Sequence, residues 1–225
     1  MIVYYFNDFD SAGEREIERM LDWMPRQQVE LVSGMKSLAR RREQAMSYAM
    51  LAYALQNDSD AIFSKELNVK AIPISILHFV PQQPPLWRVA EHGKPYLTNY
   101  ENIFFNISHC QQAIVTAVSD CETGIDVEGR RRFSDTLLQR AFNDEEQALV
   151  AASDDPEREF ARIWTRKEAW LKYTGTGILM EHLKTTEAEA AAAQCAITTQ
   201  LITPTPPHEP FYLSIATPVG GAYHS

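Results

Sequence analysis

Apolar and polar positions divide this chain into strands, helices and connectors. Met1–Phe6 is an apolar run of strand length ahead of Asp8 and Asp10, and a charged helical stretch follows to Trp23, with a break at Pro25. From Lys36 to Leu55, the positions Leu38, Ala45, Ala49 and Ala52, with Tyr48 and Met50, recur at helical spacing and predict one long helix. Arg40, Arg41 and Arg42 cluster near its start. Ile72–Val80 reads as a strand closed by Pro81, Pro84 and Pro85, and three β-rich runs follow at Ile103–Ile107, Ala113–Ser119 and Thr123–Glu128. The period then lengthens: Ser134–Arg140, Asp144–Ala152 and Pro156–Tyr173 predict helices, the last stopped by Gly175 and Gly177. Tyr212–Thr217 is expected as a strand with another around Ala196–Ile202, while the alanine-biased Glu187–Ala193 fits either a helix or a solvated connection. Strands and helices mix without regular βαβ alternation, so the expected fold class is α+β.

Composition narrows the function classes. A length of 225 residues with 45% hydrophobic content supports a sizeable core, and 21 basic against 30 acidic residues give a net charge of −9, which argues against a general nucleic-acid binder. No stretch approaches the roughly 20 apolar residues of a membrane span, and the N-terminal run lacks the basic-then-apolar pattern of a secretory signal. Cys110, Cys121 and Cys195 are odd in number and lack metal-ligand spacing. A soluble cytoplasmic protein is the expectation.

The chemistry lies in two segments. In Gly124-Ile125-Asp126-Val127-Glu128, strand geometry points Asp126 and Glu128 to one face and Ile125 and Val127 to the other. Two like charges roughly 6 Å apart repel by about 3 kcal/mol at an effective dielectric near 20, and a cation between them reverses the sign. Hard carboxylate oxygens without His or Cys suit Mg²⁺ or Mn²⁺ rather than zinc. In the second segment, Trp164–Lys172, the helical repeat puts Phe160, Ile163, Trp164, Lys167 and Leu171 on one side, with Glu168 on the shoulder and Lys172 one turn further along. A lysine inside an apolar stripe needs an anionic partner or an escape route for its ammonium, and a diphosphate held by Mg²⁺ would be such a partner. A snorkelling Lys167 and a surface Glu168–Lys172 pair are the plain structural alternative. Asn106-Ile107-Ser108-His109 ends a strand in small polar groups able to donate to an anion, and Gly93-Lys94-Pro95-Tyr96 is a turn presenting a lysine.

Taken together, Gly93-Lys94-Pro95, Phe105-Asn106-Ile107-Ser108-His109, Gly124–Glu128 and Trp164-x-x-Lys167-Glu168-Ala169-x-x-x-Lys172 make the chain resemble a 4′-phosphopantetheinyl transferase of the surfactin-synthetase-activating, single-chain pseudodimeric type. The resemblance implies two similar lobes, 1–110 and 111–225, with coenzyme A in the cleft between them. It implies that Asp126, Glu128 and Glu168 hold Mg²⁺ on the diphosphate, and that Lys172 neutralises phosphate oxygens with Lys167 as a helper. Ser108 and His109 would contact the 3′-phosphate, joined by Lys94 and an arginine of the Arg40–Arg42 cluster, with Arg42 favoured. The chain departs from the pattern at Cys110, where many relatives carry serine, and at Gln27, Gln28 and Glu30, where some carry lysines near the adenine.

The expected reaction moves phosphopantetheine from coenzyme A to a serine of an apo acyl- or peptidyl-carrier protein and releases adenosine 3′,5′-bisphosphate. The resemblance favours a monomer. Glu168 and Glu146 are both candidates for the base that takes the serine proton. Because carrier proteins are usually acidic, Arg130, Arg131 and Arg132 form a candidate docking strip, with Leu137, Leu138 and Phe142 as an apolar complement. Two rival functions are a Mg²⁺-dependent nucleotide diphosphohydrolase and a non-catalytic protein that binds carrier proteins or coenzyme A.

Overall fold

The computed structural model describes residues 1–64, 66–90, 93–177 and 180–220, with backbone only at 180 and 181. The first half runs β1 (Ile2–Phe6), α1 (Glu14–Leu21), α2 (Arg26–Ser33), α3 (Leu38–Asn57), α4 (Ser59–Ile62), β2 (Asn68–Ala71), β3 (Trp87–Val89), β4 (Pro95–Leu97), β5 (Phe104–His109) and β6 (Ile114–Ser119). The second half runs β7 (Gly124–Glu128), α5 (Asp135–Ala141), α6 (Asp144–Ala152), α7 (Pro156–Thr174), α8 (Met180–Leu183), α9 (Thr186–Ala192), β8 (Cys195–Ile202) and β9 (Phe211–Pro218). The fold is α+β. No described helix is long and apolar enough to cross a membrane.

Two sheets face each other, each covered on its outer side by a long helix. The first has the order β2-β1-β6-β5, the second β7-β9-β8, and β3 pairs with β4 in a separate hairpin. Strand alternation sorts the side chains. On β6, Ile114 and Val118 join the cluster that surrounds α3, whereas Val115 and Ala117 face the other way and pack with Ile125, Val127, Leu213 and Ile215 of the second sheet. Helix α3 buries Ala45–Ala52 without interruption, so it is a core helix rather than an amphipathic surface one. Its small residues at Ala45, Ala49 and Ala52 limit the bulk on this otherwise enclosed helix. Helix α7 starts at Asp155, whose side chain caps the Arg158 N–H, has Pro156 in its first turn, and ends at Gly175 in the left-handed region (φ 70°).

Two local readings differ from expectation, and one left open is decided. Ile72–Val80 is not a strand: Pro73 removes a ladder donor, and the segment turns into a 3₁₀ helix at Ile74–His78. Adjacent Ile76 and Leu77 are both buried there, which a strand with a single covered face does not allow. The break at Pro25 leads directly into α2, a helix the periodicity did not isolate. The alanine-biased segment is helix α9. Strand β6, beyond the expected boundary at residue 110, lies between β1 and β5, and the chain passes from the first sheet to the second across residues 120–123.

One residue controls how the second half packs. A Cβ at Gly124 would stand 2.2 Å from the Ala169 carbonyl oxygen and 2.3 Å from the Tyr173 nitrogen, both backbone atoms of α7. Only glycine lets that helix lie directly on β7. Gly124→Ala therefore has to push α7 outward, and overpacking of this kind costs about 1–3 kcal/mol. The expected outcome is a lowered midpoint in thermal or urea denaturation; an unchanged midpoint would show that the helix does not rest on this strand.

Candidate active site

Three elements meet at Asp126. Strand β5 is an edge of the first sheet and β7 an edge of the second, and their side chains join where no ladder runs between them. The Ile125 N–H donates to Asn106 Oδ1 at 3.1 Å. Ser108 Oγ donates to Asp126 Oδ1 at 2.7 Å. From α7, Lys172 Nζ donates to both Asp126 Oδ1 and Ser108 Oγ, each at 2.7 Å. The other oxygen of Asp126, Oδ2, is buried without a hydrogen-bond partner among the described residues. An orphaned carboxylate oxygen in a buried site is costly unless something fills its lone pairs.

Glu128 and Glu168 open on the same cleft, together with His109, Arg131 and Trp164. Arg131 donates to Glu128 at 3.3 Å and stands 4.9 Å from the centre of the Trp164 ring. Burial, reinforced by the nearby negative charge of Asp126, pushes the Glu168 carboxyl up to about 7, against the opposing pull of Lys172 and Arg131. Burial also raises Glu128; Arg131 opposes that shift and Asp126 adds to it. The three carboxylates thus feel one another. Among the described residues no group of three His, Cys, Asp or Glu side chains stands ready as a cation cage; Lys172 and Arg131 hold two of the carboxylates instead. The donor set still fits a hard divalent ion: oxygen ligands only, one lone and buried, with mutual repulsion to relieve.

The remaining site candidates spread along a continuous groove or leave it. Ile107 and His109 border both the carboxylate cleft and a neighbouring one lined by Arg40, Glu43, Gln44 and Ser47 of α3. His109 Nδ1 lies 3.8 Å from Glu43. Arg40 lines this groove, whereas Arg42 turns away, donating to the Ala12 carbonyl at 2.7 Å and covering the Phe9 ring. Sequence reading favoured Arg42 over Arg40 within the cluster and passed over Glu43, although a polar stripe at 40, 43, 44 and 47 on an apolar helix was a visible signal. Lys94 serves as a fastener. Its ammonium donates to the Tyr173 carbonyl at 2.8 Å and the Thr123 carbonyl at 3.2 Å, pairs with Glu122 at 2.5 Å, and so ties the β3–β4 hairpin to the end of α7. Burial lowers its pKa, with Glu122 opposing.

Glu146 and Lys167 are found together and apart from the carboxylate cleft. Lys167, 1% exposed, pairs with Glu146 at 2.6 Å over the Phe142 ring. Glu146 also closes the capping box of α6 by accepting the Asn143 N–H at 2.8 Å. Both of its oxygens are engaged, which makes the pair a clamp between α6 and α7.

Residues 122–215 match the family model of the 4′-phosphopantetheinyl transferase superfamily. The chain is 32% identical over 104 residues to a 4′-phosphopantetheinyl transferase of Bacillus pumilus, covering 45% of each chain. It is 29% identical over 132 residues to one of Aneurinibacillus migulanus (58% of this chain, 54% of the relative). It is 34% identical over 127 residues to the transferase AcpT of Salmonella typhi (52% and 66%). These matches span about half the length of the curated relatives, and they bear out the resemblance read from the motifs. The matched segment contains Asp126, Glu128, Glu168 and Lys172.

Burial of Glu168 has a measurable consequence. Its folded-state value of about 7 lies above the ordinary 4.5, so the group favours the fold fully below about pH 4.5, and that contribution is lost as pH rises through about 7. At pH 8 without divalent cations the charged form therefore destabilises the protein by up to about 3 kcal/mol. Glu168→Gln is expected to raise the melting temperature at pH 8 by several degrees and to change it little at pH 4.5. An equal shift at both pH values would show that the carboxylate is not held against its charge.

Proposed function

Because residues 122–215 match the family model of the 4′-phosphopantetheinyl transferase superfamily, we propose that this chain transfers the 4′-phosphopantetheine group of coenzyme A to a serine hydroxyl of an apo acyl- or peptidyl-carrier protein. Adenosine 3′,5′-bisphosphate is the by-product. The observation that carries the reading is the meeting of Ser108, Asp126, Glu168 and Lys172, from three separated segments, in a cleft continuous with the Arg40–His109 groove. Such a groove suits an extended ligand with a terminal phosphate at one end and a diphosphate at the other. Arg40 and His109 serve the 3′-phosphate, with Arg40 in the place first given to Arg42. The two lobes part at residues 120–123, and the protein works as a monomer in a reducing cytoplasm.

Asp126, Glu128 and Glu168 would hold Mg²⁺, which when bound withdraws charge from the diphosphate. The serine oxygen forms a bond to the β-phosphorus as the bond from that phosphorus to the bridging oxygen breaks, and the electron pair leaves with adenosine bisphosphate. Glu168, which opens on the same cleft, takes the serine proton directly or through a water. Glu146 is committed to Lys167 and Asn143 and contributes to the fold. Lys172 supplies positive charge to the departing phosphate. Ser108 and Asp126 orient its ammonium.

The direct test combines the protein with coenzyme A, Mg²⁺ and an apo carrier, and weighs the carrier. A mass gain of one phosphopantetheine supports transfer; hydrolysed coenzyme A with an unmodified carrier means a diphosphohydrolase, and binding without either product means a recognition protein. Asp126→Ala and Glu168→Ala are each expected to lower turnover by about 10²-fold or more while leaving a folded chain. Near-normal rates in either would refute the assignment. Docking rests on Arg132, which is exposed, because Arg130 is paired with Asp155 and Glu157. Arg132→Glu should raise KM for the carrier and leave the affinity for coenzyme A unchanged.

A further inference from the structure

The three consecutive arginines 130–132 do three different things. Arg130 is tied to Glu157 at 2.8 Å and Asp155 at 3.5 Å, and Arg132 has a side chain 96% exposed. Arg131 alone turns inward. Its backbone N–H is anchored on the Glu157 carbonyl at 3.4 Å, and its guanidinium enters the carboxylate cleft, lies over Trp164 and reaches Glu128. The two contacts differ in kind. The bond to Glu128 is a single one of 3.3 Å, long for a charge-assisted pair and not the bidentate fork that makes arginine–carboxylate pairs strong. The stacking on Trp164 holds the guanidinium plane independently of any carboxylate. A cation braced by a ring and lightly bound to an acid can give up the acid and keep its place.

We propose that Arg131 is an exchangeable counter-ion of Glu128, which yields that carboxylate to a divalent cation and passes its own charge to the diphosphate of the incoming co-substrate. The inference rests on the proposed transferase reading of the same cleft and assigns it a further binding residue. Its logic is charge balance. Before loading, Asp126 is neutralised by Lys172 and Glu128 by Arg131. A divalent cation coordinated by these carboxylates makes both basic groups surplus, and an anionic diphosphate is what they can then bind. Arg131 should thus oppose the cation alone and favour the cation and diphosphate together, a pair of effects with opposite sign.

The test measures Mn²⁺ affinity at pH 8 from the free-ion paramagnetic resonance signal, and coenzyme A affinity in saturating Mn²⁺ by calorimetry. Wild type is compared with Arg131→Met, whose apolar stem still covers Trp164, with Arg131→Lys, which keeps the charge, and with Arg15→Met as an exposed control. Arg131→Met is expected to bind Mn²⁺ alone about 5- to 10-fold more tightly and coenzyme A about 10-fold more weakly, in line with one partly screened charge at contact distance. Arg131→Lys should stay within about threefold of wild type in both, because the charge is kept, and Arg15→Met within about twofold. Unchanged or weaker Mn²⁺ binding by Arg131→Met, in a protein where Arg131→Lys behaves as wild type, overturns the counter-ion role. Failure of the wild type to bind Mn²⁺ and coenzyme A together overturns the transferase reading instead.

Discussion

The close approach of α7 to β7 over Gly124 is the constraint on which the site depends. With no side chain at that position, the backbone at Ala169 and Tyr173 settles onto the strand, and Glu168 and Lys172 are delivered to the level of Asp126. Two residues further along β7, the same face widens to hold Glu128, and Arg131 closes the far side. Asn106 and Ser108 fix the third wall by bonding across from β5. A strand pairing here would have used the Ile125 N–H that the Asn106 side chain accepts instead. The geometry is therefore a consequence of two sheet edges meeting without merging.

Charge within the cleft is balanced in pairs and not fully at rest. Lys172 satisfies one oxygen of Asp126 and leaves the other buried without a partner among the described residues, and burial of Glu168 beside Asp126 raises its pKa against the pull of Lys172 and Arg131. An added positive charge would relieve both. The Glu146–Lys167 pair shows the contrasting case. Buried as deeply, it is locked by a capping box and a backbone carbonyl into holding two helices together. Breaking one partner of such a pair is costlier than the pair is favourable, which keeps it structural.

Much of this was legible in the chain itself. Period-2 alternation placed Asp126 and Glu128 on one face of β7, and the capping and glycine signals bracketed α7 to within a residue or two. The helical repeat flagged Lys167 as a buried cation in need of an anion, and correctly implied a partner. It could not name the partner, because Glu146 lies on another helix. The same limit applied to the Arg40–Arg42 cluster: local sequence fixes which residues share a helix face, but only tertiary packing decides which face borders the groove. Strand Ile72–Val80 failed because an apolar run reads alike in a strand and a 3₁₀ turn, and Pro73 decided between them. Nothing in the turn that carries Lys94 reveals that Tyr173 and Glu122 lie within its reach.

The central claim is that carboxylates from β7 and α7 serve one divalent ion beside a phosphate-bearing groove. Crystals grown with Mn²⁺ and coenzyme A, measured at the manganese absorption edge, test it most directly. The account predicts one anomalous peak in contact with Asp126, Glu128 and Glu168 and with the diphosphate, with Lys172 moved from Asp126 to a phosphate oxygen. A fully occupied diphosphate in the cleft with no manganese between it and these three side chains would contradict it.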